Sequence, residues 1–252
     1  MKTLARVLAV SGLLGVGAVS LMSQTPSSAF QTKSFRTTLT QPVHLRYLLF
    51  LPKEYGKDPA RKWPLMLFLH GAGERGDDLW KVTVHGPPKL ARNDRNFPFI
   101  LVCPQCPTGD HWHADALAAL LDRVIETHAV DTHRVYLTGL SMGGYGTWHL
   151  GLTHPDRFAA IVPICGGGNT EDVLLASPRH AEALRSLPVW AFHGAKDQVV
   201  NPEESKRMVK ALKRFGCREV KLTIYPEANH NSWDATYNNP EVFRWMLDHS
   251  RP

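Results

Sequence analysis

The chain has 252 residues, 43% of them hydrophobic, which is enough for one sizeable core. Its 29 Lys+Arg against 23 Asp+Glu give a formal net charge of +6. That basic excess is mild and contains no dense Lys/Arg run interleaved with aromatics, which argues against nucleic acid as the main partner.

Met1 to Ala29 reads as an export signal. Lys2 and Arg6 precede an apolar run from Val7 to about Leu21, and Ser27-Ser28-Ala29 offers small residues before a cut. Ser11 and several glycines interrupt the run, and a polar, Pro-containing stretch follows it. No stable membrane anchor is therefore expected, and the mature chain is expected to be secreted or periplasmic. Residues 30–252 suit one domain, without repeat or low-complexity linker. Phe35 to Leu39 and His44 to Leu51 read as strands joined by a turn at Gln41-Pro42, Pro64 to Leu69 as a continuous apolar strand, and Phe99 to Val102 as another. Asp115 opens a helix whose Leu117, Leu120, Leu121, Val124 and Ile125 form one apolar stripe. Val135 to Thr138 is a buried strand that runs into Gly139-Leu140-Ser141-Met142-Gly143, after which Tyr145, Trp148, His149 and Leu152 recur at helical spacing.

Ala159 to Cys165 and Pro188 to His193 are further strands, with one helix near Glu171 to Leu184 between them and too few residues for a large lid. Asn201-Pro202-Glu203-Glu204 starts a helix that Lys213, Arg214 and Gly216 close. Lys221 to Tyr225 is the last strand, and Asn239-Pro240-Glu241 opens a final helix. This alternation predicts an α/β fold, a mostly parallel central sheet with helices on both faces. In such sheets chemistry collects at the carboxyl ends of the strands.

Strand, tight turn and helix around Ser141 form the setting of a nucleophile elbow, with Gly139 and Gly143 small because a Cβ there would clash. A serine hydroxyl needs a base in hydrogen-bond reach and a third group to orient that base. Asp197 follows one later strand and His230 another, so Ser141, Asp197 and His230 stand in the order that this kind of site requires. Leu69-His70-Gly71-Ala72-Gly73 follows the third expected strand, and the N–H groups of Ala72 and Met142 are the expected oxyanion donors. In the continuation of that loop, Glu74 and Arg75 are expected to clamp one another. Trp112 and Trp233 fall in loops at the catalytic edge, where they would stack on an aromatic acyl group or a sugar ring, or serve packing. His111 and His113 at i, i+2 lack a third ligand nearby, and serine chemistry needs neither metal nor cofactor, so none is expected. Cys103-Pro-Gln-Cys106 has redox spacing but follows a strand instead of opening a helix. Which of Cys103, Cys106, Cys165 and Cys217 pair, if any, is not readable.

At His70-Gly71-Ala72-Gly73-Glu74-Arg75-Gly76, Pro104-Gln105-Cys106-Pro107, Gly139-Leu140-Ser141-Met142-Gly143-Gly144 and His230-Asn231-Ser232-Trp233 the chain resembles secreted esterases of the α/β-hydrolase superfamily. The nearest set is the feruloyl-esterase and polyhydroxybutyrate-depolymerase-like one, also described as prolyl-oligopeptidase-like peptidases. The resemblance implies an α/β-hydrolase catalytic domain over residues 30–252 and hydrolysis of a small-molecule or polysaccharide-linked carboxylic ester through an acyl-enzyme on Ser141. A serine peptidase with the same residues, and a carbohydrate- or partner-binding module on a hydrolase scaffold, are the alternatives.

Overall fold

The computed structural model describes residues 34–36 and 42–252. The expected export signal and most of the expected strand at Phe35 to Leu39 lie outside the described residues, and Ser34 to Arg36 have no regular structure. Val43–Pro252 is one compact body. Its strands and helices run β1 (Arg46–Phe50), β2 (Trp63–Leu69), α1 (Gly86–Asn93), β3 (Ile100–Gln105), α2 (Ala114–Thr127), β4 (Val130–Leu140), α3 (Met142–Thr153) and β5 (Ala160–Ile164). There follow α4 (Glu171–Leu174), α5 (Pro178–Ser186), β6 (Val189–Gly194), α6 (Glu203–Phe215), β7 (Val220–Tyr225), α7 (Trp233–Tyr237) and α8 (Pro240–Leu247). Three short 3-10 turns, at Ala72–Glu74, Leu79–Thr83 and Pro155–Arg157, complete the ordered elements.

The seven strands form one sheet in the order β1-β3-β2-β4-β5-β6-β7. β1 is antiparallel to β3 and every other pair is parallel. Every residue of β2, β3 and β5 is buried, as their apolar runs, ending in Gln105 only in β3, require of strands covered on both faces. The strand period of two sends alternate side chains to opposite layers. Leu65, Leu67, Leu69, Val102, Leu137 and Ile161 pack with α2, α3 and α6, while Met66, Phe68, Leu101, Tyr136, Val162 and Phe192 pack with α8 and Tyr237.

The same period separates Cys103 from Cys106, one in each layer, so these two thiols face away from one another. All four cysteines are free, and burial pushes the thiols up, to about 11 for Cys106 and Cys217 and about 12 for Cys165.

Three expectations change. The strand expected over Val135 to Thr138 is longer, Val130–Leu140. The single helix over Glu171 to Leu184 is two, because Pro178 lacks the N–H that a continuing helix needs and instead occupies the first turn of α5, with Ser177 as N-cap accepting from His180 N–H. Trp233 opens the short helix α7 and does not sit in a loop.

The strand order also fixes where a ligand can enter. From β2 the chain crosses outward to β3, then returns past β2 to β4. The loops leaving the carboxyl ends of β2 and β4 therefore diverge, and the crevice between them is the switch point where open α/β sheets hold ligands.

Candidate active site

Ser141 lies between the last residue of β4 and the first of α3, with φ 53° and ψ −117°. This left-handed backbone, strained for a residue with a Cβ by about 1–3 kcal/mol, lifts the side chain out of the sheet. The turn is held by Ser141 N–H to the Ile164 carbonyl, 3.0 Å, and by Tyr145 N–H to the Ser141 carbonyl, 3.0 Å. An added Cβ on Gly143 would overlap the Leu69 carbonyl, and one on Gly139 the Gly143 carbonyl, so both positions must be glycine for β2, β4 and α3 to close on each other.

His230 comes from the loop after β7, and its Nε2 is 2.9 Å from Ser141 Oγ. Its Nδ1 is 2.8 Å from Asp197 Oδ2, on the loop after β6. The donors sort themselves: Nδ1–H donates to the carboxylate, and Nε2 is left to accept from the Ser141 hydroxyl. Asp197 Oδ1 accepts the N–H groups of Val199 and Val200 at 2.8 and 2.9 Å. Burial pushes the Asp197 carboxyl up, but the hydrogen bonds from His230, Val200 and Val199 together outweigh it and hold its pKa below the usual carboxylate range. It is an anion wherever the protein is folded near neutral pH.

A residue not anticipated from the sequence completes this set. His193, at the end of β6 and fully buried, places Nε2 2.9 Å from the Val200 carbonyl and 3.2 Å from Asp197 Oδ2. Its Nδ1 meets Ser205 Oγ at 2.8 Å. Burial pushes the His193 imidazole down, so it braces the Asp197 loop as a neutral ring. Only the turn from Gly194 back to Val200 brings the pair together, and neither residue's neighbours in sequence announce it.

The loop after β2 reaches Ser141 from the other side of the crevice. A Cβ on Gly71 would lie 3.6 Å from Ser141 Cβ and 2.9 Å from Leu140 Cδ1. Ala72 and Met142 are each the first residue of a helical segment, where the backbone N–H has no partner within its own helix. His70 anchors the loop beneath: Nδ1–H donates to the Gly71 carbonyl at 2.6 Å, and Nε2 accepts Cys106 N–H at 3.0 Å. Burial pushes its pKa down to about 4. Arg75 donates to the Ala72 carbonyl and to the Asp110 carbonyl, each at 3.1 Å, and Gln105 Nε2 donates to the carbonyls of Glu74 and Asp78. The expected Glu74–Arg75 clamp is thus replaced by two separate contacts: Arg75 ties backbone to backbone, while the Glu74 carboxylate approaches His85 Nε2 at 3.9 Å.

The two tryptophans differ in place. Trp112 is 5% exposed, donates its indole N–H to the His70 carbonyl at 3.2 Å and stands edge-on to the His70 ring, so it packs under the loop. Trp233 is half-buried, perpendicular to His230 and inclined at 61° to His85, with ring centres 5.4 Å from each. It walls the catalytic histidine. His111 and His113 do have a third potential ligand, because Asp110 Oδ1 lies 2.9 Å from His113 Nε2.

A serine at a strained strand-to-helix turn, lined up with an imidazole and a carboxylate at the carboxyl edge of this sheet, defines the α/β-hydrolase superfamily. Residues 111–239 match the phospholipase/carboxylesterase family, and the chain belongs to it. That stretch holds Ser141, Asp197 and His230, whereas Ala72 precedes it. The chain is 30% identical over 181 residues to a bifunctional acetylxylan esterase/xylanase of Neocallimastix patriciarum, covering 69% of this chain and 25% of that one. It is 27% identical over 158 residues to poly(3-hydroxyalkanoate) depolymerase C of Paucimonas lemoignei, 58% of this chain and 37% of the relative. It therefore spans only a quarter to a little over a third of these curated relatives. Among solved structures, a thermostable esterase superposes with TM-score 0.68 and 34% identity, over 82% of this chain and 60% of the other.

Proposed function

We propose that the chain is an exported serine carboxylesterase acting on acyl esters carried by polymers, with acetyl or hydroxycinnamoyl groups on plant polysaccharide as the substrate class. The observation that carries the reading is the continuous hydrogen-bond line Ser141 Oγ, His230 Nε2, His230 Nδ1, Asp197 Oδ2, with 2.9 and 2.8 Å at its two joints. In this reading His230 takes the hydroxyl proton as Oγ attacks the ester carbonyl, and Asp197 stabilises the imidazolium that forms. The oxyanion forms between the N–H groups of Ala72 and Met142, each worth about 3 to 4 kcal/mol to the transition state. His230 then returns the proton to the leaving alkoxide, and water, deprotonated by the same ring, releases the acyl group from Ser141.

The polymer-linked substrate is supported by the likeness to an acetylxylan esterase/xylanase and to a polyhydroxyalkanoate depolymerase. It is supported too by the small span between β5 and β6, where α4 and α5 are short and pack into the body through Val173 and Leu184 and do not form a lid. Trp233, beside His230, is the surface against which an aromatic acyl group or sugar would lie.

The test is kcat/KM on methyl ferulate, on acetyl and butyryl esters and on a matched anilide, for the mature chain and for Ser141→Ala. Ester turnover well above the anilide, lost in Ser141→Ala with an unchanged melting temperature, is expected. Near-wild-type turnover in Ser141→Ala would overturn the assignment, and preference for the anilide would favour a peptidase.

A further inference from the structure

We infer that Asp110, His111 and His113 form a binding site for a divalent late first-row transition metal such as zinc, beside the catalytic cleft and separate from the serine chemistry. Asp110 Oδ1 is 2.9 Å from His113 Nε2 and 3.5 Å from His111 Nδ1, and the three ligand atoms all lie within 4.8 Å of one another. Zinc holds nitrogen and oxygen ligands at about 2.0–2.2 Å, so tetrahedral geometry separates ligand atoms by about 3.3–3.5 Å. These two distances lie close to that separation, and rotation of the exposed side chains would bring the three ligand atoms, all within 4.8 Å, onto one ion. The fourth position is open, since both imidazoles are exposed and Asp110 is only partly buried.

The spacing is a consequence of the backbone. His111 to His113 has no helical turn, and His113 is extended at φ −100° and ψ 120° just before α2. Residues i and i+2 of such a segment share a side, which brings the two rings to 4.3 Å between centres, while the intervening Trp112 points inward. The segment is anchored at both ends of the cluster. Asp110 accepts Arg75 Nη1 through its carbonyl and His111 N–H through Oδ1, and Trp112 bonds the His70 carbonyl. The backbone that carries the donor side chains is therefore held before any ion arrives, which lowers the ordering cost of binding.

Two imidazoles with one carboxylate select zinc, nickel or copper over calcium and magnesium, which take oxygen ligands. Because Arg75 and Trp112 tie this segment to the loop of Gly71 and Ala72, an ion here braces the expected oxyanion loop from outside.

The experiment titrates zinc chloride into the mature protein by calorimetry and follows melting temperature with and without the ion. Wild type is expected to bind one strong equivalent and to melt higher with zinc, and magnesium is expected to do neither. His111→Ala and His113→Ala should each weaken zinc by more than the about 10–100-fold that loss of an outer-sphere partner causes. If either is poorly folded, Asp110→Asn, whose amide oxygen still accepts His111 N–H, must weaken zinc as well. A cobalt spectrum of the wild type with strong four-coordinate bands supports the site. Unchanged zinc affinity in these variants, or no strong equivalent in the wild type, overturns the proposal.

Discussion

His70 offers a quantitative test of how the loop beneath the site is built. The ring is 1% exposed and spends both nitrogens on backbone groups, one as donor to the Gly71 carbonyl and one as acceptor from Cys106 N–H. Protonating Nε2 would turn that acceptor into a donor facing another donor, in a site that disfavours charge. Burial is the main reason its pKa falls to about 4 from an ordinary value of about 6.5. The unfolded chain therefore binds a proton near pH 6.5 that the folded chain refuses until about pH 4, so stability is complete above pH 6.5 and drains away as pH falls to 4. At about 1.4 kcal/mol per pH unit, this one ring accounts for about 3 kcal/mol across that interval.

His193 and His154 are also pushed down by burial and add slopes of the same sign, so the comparison must be with a variant. His70→Gln keeps one donor and one acceptor and removes the titration. Urea unfolding at half-unit steps from pH 7.5 to 4 should show wild type losing stability faster than His70→Gln, by about one proton's slope. Parallel curves, or a His70 ring that titrates near pH 6.5 by NMR in the folded protein, would refute the reasoning.

Three further outcomes follow from the same geometry. Asp197→Asn removes the anion that fixes the His230 tautomer while keeping the shape of the loop, and kcat on a good ester should fall by about 10⁴-fold with the melting temperature moving little. Gly143→Ala drives a methyl into the Leu69 carbonyl, so soluble yield and thermal unfolding should show gross destabilisation, and a folded, active Gly143→Ala would contradict the described elbow. Trp112→Phe and Trp233→Ala should separate: the first deletes the indole bond to the His70 carbonyl and lowers stability by about 1 to 3 kcal/mol, whereas the second should raise KM for aromatic acyl esters more than for acetate esters.

The strands were legible because burial on both faces leaves no choice of residue. β2 and β5 read as unbroken apolar runs, and the structure moves their ends by one residue. α2 and α6 were legible from one stripe and from caps, with Gly216 at φ 89° ending α6 as its position suggests. α1 was not, because Pro87 and Pro88 look like breakers until their place in the first turn is known, where their missing N–H groups cost nothing. The order Ser141, Asp197, His230 was visible because each follows a strand. What was hidden is which way loop side chains turn: His193 onto Asp197, Asp110 toward His111 and His113, and Arg75 onto backbone carbonyls instead of Glu74. The inward turn of Trp112 belongs with these, since an aromatic in a loop carries no mark of which way it faces.

The most direct test of the account is to trap the acyl-enzyme. Purified protein is incubated with a fluorophosphonate, and separately quenched at acid pH during turnover of a slow ester, and intact mass and peptide mapping are recorded. The account predicts one added group per chain, on the peptide bearing Ser141, absent in Ser141→Ala and much slower to form in Asp197→Asn. Ester turnover with no adduct on Ser141, or an adduct on another residue that tracks activity, would contradict it.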